Sequence, residues 1–141
     1  MARLRWTRDA WQALIGALLV LLSATFANAQ GNDDDTGKRY IRCAAVFAIA
    51  AAVATDQKAK EGFSSASMLL LTWASELRPD RPAKDNLDQV TRDFGVEVVE
   101  VGREVKLKTP SAGMEFAAKF GGELNRCGVL IATEAKRRNA P

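Results

Sequence analysis

Cys43 and Cys127 are the only cysteines in the 141 residues, and they constrain the fold more than any other feature. Each falls on a line of apolar residues at helical spacing. Cys43 belongs with Tyr40, Ala44, Phe47, Ala51 and Ala54, and Cys127 with Ala117, Phe120, Leu124 and Ile131. Two inward-facing cysteines, one in the first helix and one in the last, predict a bond that ties the two ends of a single core together. Closing a loop of about 85 residues is worth roughly 4.6 kcal/mol in the chain-entropy model, against a total stability of about 5–15 kcal/mol for a small domain. The alternative is a pair of separately buried thiols. A catalytic thiol would need a base, and the chain has no histidine.

Whether the bond forms depends on the compartment, and the first residues speak to that. Arg3, Arg5 and Arg8 precede an apolar run from Trp11 to Leu22 that ends at Ala27-Asn28-Ala29, the pattern of a cleaved secretory signal. Cleavage is expected between Ala29 and Gln30, leaving 112 residues in a periplasmic or secreted location, where disulfides persist. A retained anchor would have to use Trp11 to Ala29, and Gln12, Ser23, Thr25 and Asn28 interrupt that stretch, so no stable membrane insertion is expected after cleavage. The leader also carries three arginines and one aspartate, so the remaining balance is 17 cations to 16 anions. A nucleic-acid partner therefore loses its electrostatic basis. The basic run Lys136-Arg137-Arg138 reads as a helix C-terminus complementing the macrodipole.

A chain of this size has room for one core. Residues 30–38 read as a flexible lead-in, 39–137 as a helical domain and 138–141 as a frayed tail. The aspartates at 33–35 do not make an EF-hand loop, because Cys43 falls where its twelfth ligand belongs. The first helix is expected over Tyr40 to Thr55, apolar almost all round except for Arg42, and therefore central. Asp56 to Gly62 reads as a charged connection and Ser64 as the cap of a second helix reaching Leu77, with Ser65, Ser67, Thr72 and Ser75 on its polar side. Arg78-Pro79-Asp80-Arg81-Pro82 ends it. A third helix, capped by Asp80, carries the stripe Leu87, Val90, Phe94, Val98, Val101 and Val105; a strand over 96–101 is the competing reading. Thr109-Pro110 is expected to open the fourth helix, and Gly121-Gly122 marks either a kink or close packing, or else a hinge or a peptide-binding crease. The predicted fold is all-α, a small four-helix bundle with one disulfide joining its first and last helices.

Without histidine the commonest general base and zinc ligand are both missing. Glu97, Glu100 and Glu104 form a carboxylate row on one side of a helix, ordinarily a solvated face. Phosphate loops, nucleophile elbows and metal-spaced cysteines do not occur, so neither an enzyme nor a cofactor or metal site is expected. Trp73, Arg78 and Arg81 are the candidate partner surface, since Trp and Arg anchor interfaces, while the place of Trp73 on the apolar stripe of the second helix makes core the stronger reading for that residue.

The segments Arg42-Cys43-Ala44-Ala45 and Asn125-Arg126-Cys127-Gly128, set in an exported helical chain, resemble a loose group of small Gram-negative periplasmic proteins that includes type VI secretion immunity proteins and acid-stress chaperones. The resemblance implies a protein-binding module whose partner is another exported protein, with a homodimer also allowed. The alternative is an envelope stress or chaperone-like protein in which acid exposes Leu69, Leu70 and Leu71.

Overall fold

Asp56 is where the chain departs first from the expected order. Its carboxylate accepts the Ala59 amide at 2.7 Å, which places it as the N-cap of a helix that the charged run Gln57-Lys58-Ala59-Lys60-Glu61 then enters. Those residues are good helix formers, and a cap of this kind is worth about 1 kcal/mol. The expected connection over 56–62 and the cap at Ser64 are therefore incorrect. The turn between the first two helices is confined to residues 54–56.

The computed structural model describes residues 33–77 and 82–140. The cleavage site Ala29–Gln30, the proposed cap Asp80, and Arg78 and Arg81 lie outside them. Thr36–Pro141 forms one compact unit, distinct from Met1–Asp35. Four helices, and no strand among the described residues, make up the fold: α1 over 33–53, α2 Gln57–Glu76, α3 Ala83–Arg103 and α4 Ala112–Arg138. Residues 33–38 are helical and continue into the core part of α1, so the lead-in is shorter than its polar composition implied.

The valine-rich segment is helix. Val90 and Val101 are buried and Val105 is 3% exposed just past the helix end, whereas Val96 and Val99 face solvent. Burial at a helical period overrides the β-propensity of the individual residues. Pro82 stands at the N-cap position of α3 with no side-chain cap bond. Ser111, not Thr109, stands at the N-cap position of α4. Thr109 instead donates its hydroxyl to the Lys106 carbonyl at 2.8 Å and so closes the preceding turn. Glu115 accepts the Lys106 amide at 3.2 Å and bonds Ser111 Oγ at 3.0 Å, which joins that turn to the first turn of α4. These bonds, the backbone one foremost, hold the Glu115 carboxyl below its usual range.

α1 is central, as its composition predicts. One set of its residues, Tyr40, Cys43, Ala44 and Phe47, packs with Leu70, Trp73 and Ala74 of α2, Val90 of α3 and Cys127 of α4. The rest, Ala45, Val46, Ile49 and Ala50, packs with Val101, Val105, Ala112, Phe116 and Phe120. Alanine permits this double use, because its short side chain lets neighbours close on the α1 backbone from two sides. Ser67 shows how close: it is 5% exposed, and its hydroxyl donates to the Ala44 carbonyl at 2.8 Å. Its place on a polar face is thus corrected to the α1–α2 seam. Cys43 and Cys127 form the expected disulfide between α1 and α4, with Cα atoms 5.5 Å apart.

Candidate functional site

Trp73 is not available to a partner. It is 6% exposed, its ring centroid lies 6.0 Å from that of Tyr40, and the Arg138 guanidinium stands 4.9 Å over its face. The same apolar stripe that made it prominent in the sequence turns it toward α1. Of the three leucines, Leu70 is fully buried, Leu71 is half-buried and Leu69 is 38% exposed, so they do not form one face.

The C-terminal cations do more than complement a dipole. Arg137 and Arg138 both donate to the buried carboxylate of Glu134, at 2.6 and 2.7 Å, and Arg138 also reaches Glu76 of α2 at 2.6 Å. The hydrogen bonds from Arg137, then those from Arg138, pull the Glu134 carboxyl down to about 2 against the opposing effect of burial. Burial, with Glu134 nearby, pushes the Tyr40 hydroxyl up. Arg138 therefore belongs to the packed domain and not to a frayed tail.

Within the carboxylate row it is the Glu97 side chain that bonds another helix. Arg42 of α1 bonds Glu97 of α3 at 3.0 Å and holds Glu123 of α4 through two nitrogens at 2.8 and 3.2 Å. One cation thus clamps three helices just beside the disulfide, and these bonds, Glu123 first, hold the guanidinium pKa above its ordinary value. Glu100 and Glu104 are exposed, as a solvated face requires.

Among the described residues, an apolar groove suited to binding lies where the end of α1 and the start of α2 meet α4. It encloses about 750 Å³, within the range of ligand-binding clefts. Val53, Phe63, Phe116, Ala117 and Leu124 line it, and Asp56, whose carboxylate already caps α2, is its only charged residue. A second concavity of about 480 Å³ shares Phe63, Gly121 and Leu124 with the first and continues to Gly128 and Ala132. Together they expose one side of α4 from Gly113 to Ala132, roughly 28 Å at 1.5 Å per residue.

Glycine creates the space. A side chain built at Gly121 would meet nothing within 4 Å, nor would one at Gly128. Gly122 comes near only Arg126 of its own helix, at 3.8 Å. The expected close helix approach at Gly121-Gly122 is therefore absent, and α4 runs on as helix through both residues. Small residues at 113, 117, 121, 128 and 132 recur on one side of α4 in the sequence, which was the available signal.

Among the described residues, no group of three or more His, Cys, Asp or Glu is placed to hold a metal ion, and no helix is long and apolar enough to cross a membrane. Comparison with protein-family models, curated proteins and solved structures returns no match.

Proposed function

We propose that this chain is an exported binding module of the immunity type, which accommodates an apolar helical segment of a partner protein in the groove beside α4. The groove carries the reading. It is long enough for about five helical turns, and its glycine and alanine wall would let an incoming helix lie close, as in the helix-in-groove mode of peptide recognition. Lys58, Lys60, Lys106 and Lys108 adjoin groove-lining residues in the chain and are exposed, against Asp56 in the lining and Glu115 next to it, a small excess of positive charge that suits a partner helix with acidic flanks. The disulfide and the secretory pattern before Gln30 support an exported location.

The test fills the groove without disturbing the core. Gly121→Trp and Ala117→Trp place an indole where the partner would lie, and Gly121 has open space to receive one. Protein exported by its own cell should recover one stoichiometric partner. Both variants should keep their thermal midpoint and lose that partner by at least about tenfold, the effect of about 1.4 kcal/mol. Recovery of no stoichiometric partner, or full retention by both stable variants, refutes the proposal.

A further inference from the structure

We propose a second site, for an organic phosphate, in the concavity over the Cys43–Cys127 bond. It encloses about 410 Å³ between the first turns of α1 and the middle of α4, and its walls include Lys38, Arg39, Arg126 and Leu130. This site is independent of the apolar groove. On α4 it uses Glu123, Arg126, Cys127 and Leu130, which at 3.6 residues per turn point away from the Gly113 to Ala132 side.

The charges in this concavity are of two kinds. Arg42 is spent on Glu97 and Glu123, and in turn occupies both carboxylates. Lys38, Arg39 and Arg126 are exposed and have no hydrogen-bond or ion-pair partner among the described residues. Counting all the lining groups, four cations face two carboxylates, an excess of two positive charges gathered in one hollow. Like charges held together repel, and an anion entering between them relieves that repulsion.

Their placement is fixed from beneath. Lys38 and Arg39 precede Cys43 by little more than a turn, Arg126 adjoins Cys127, and the disulfide holds those two backbones 5.5 Å apart. Three separate donors, two of them guanidinium forks, suit a tetrahedral phosphate, which offers three strong acceptor oxygens and nearly two negative charges. A carboxylate offers two oxygens and one charge. Leu130 and the half-cystines provide an apolar wall beside the cations, so an ester with an organic group fits the hollow better than the free ion. The source of the phosphate is either a small soluble ester or a lipid headgroup.

Amide NMR titration of the oxidised protein, as recovered from the exporting cell, tests this at fixed ionic strength. Phenyl phosphate should shift the amides near residues 38, 39 and 126 saturably. Burying roughly 55 Å² of its ring should make it about tenfold tighter than inorganic phosphate. Lys38→Ala with Arg126→Ala should abolish saturation. Lys84→Ala with Arg103→Ala, which removes equal charge from exposed positions that line neither hollow, should change it less than about twofold; thermal melts establish that both pairs fold. Phosphatidic acid vesicles decide the source: binding that is lost with Lys38 and Arg126 assigns a headgroup, and no vesicle binding assigns a soluble ester. Absence of saturation by phenyl phosphate, equal losses in the two double variants, or vesicle binding indifferent to Lys38 and Arg126 overturns the site.

Discussion

Reduction of the Cys43–Cys127 bond tests the architecture most directly, because the thiols keep nearly the same volume while the covalent constraint disappears. The cysteines are 84 positions apart. With a closed loop of about 85 residues, the chain-entropy relation gives about 15 cal/mol/K, or about 4.6 kcal/mol at 25 °C. Within the described fold the bond joins the central helix to the longest one, so the freed denatured chain regains most of its conformational range. A urea slope of about 1.5–2 kcal/mol/M, usual for a domain of this size, turns that loss into a midpoint shift of about 2–3 M. The slope itself should rise on reduction, since a longer free chain exposes more surface when it unfolds. Urea titrations followed by far-UV circular dichroism, with and without reductant, measure both quantities. Cys43→Ala with Cys127→Ala should fall further, by about 1–2 kcal/mol, because Cys43 and Cys127 are 8% and 2% exposed and their sulfur contacts are lost as well. A midpoint shift below about 0.5 M with an unchanged slope would refute the reasoning, since it would mean that the denatured chain holds its ends together without the bond.

The Glu134 cluster predicts a defined acid dependence. Its carboxyl falls from 4.5 to about 2 on folding, so the stabilisation is complete above pH 4.5 and is lost as pH drops from there through about 2. The shift corresponds to at most about 3 kcal/mol, and screening at a helix end that water reaches reduces this to about 1–2 kcal/mol. Glu134→Gln should flatten that part of the stability profile, and a profile unchanged by the substitution counts against the cluster. Leu70→Ala should cost about 2–5 kcal/mol and Leu69→Ala under about 1 kcal/mol, because the first is fully buried and the second 38% exposed. Equal losses in thermal or urea unfolding would contradict the orientation of α2.

The acid dependence also bears on the stress-protein alternative. Glu134 stays ionised through mild acid, so its bonds to Arg137 and Arg138 are not themselves the trigger for the loosening which acid exposure of Leu69, Leu70 and Leu71 would require.

Hydrophobic periodicity and the cysteine count determined the all-α class, the central place of α1 and the Cys43–Cys127 pairing. Each is a property of one helix face, and a face is written along the chain at 3.6 residues per turn. Local capping was less legible: Asp and Ser are comparable N-cap residues, and a start at Asp56 rather than Ser64 brings Phe63 into α2, where its ring centroid lies 6.1 Å from that of Phe47 of α1. Tertiary structure alone decided which neighbours each face meets. It drew Ser67 onto the Ala44 carbonyl, and gave Arg42 two carboxylates from residues 55 and 81 positions away. It also left the glycine side of α4 uncovered. A stripe of small residues reads the same whether a helix packs on it or not, and only the arrangement of the other three helices leaves the groove open.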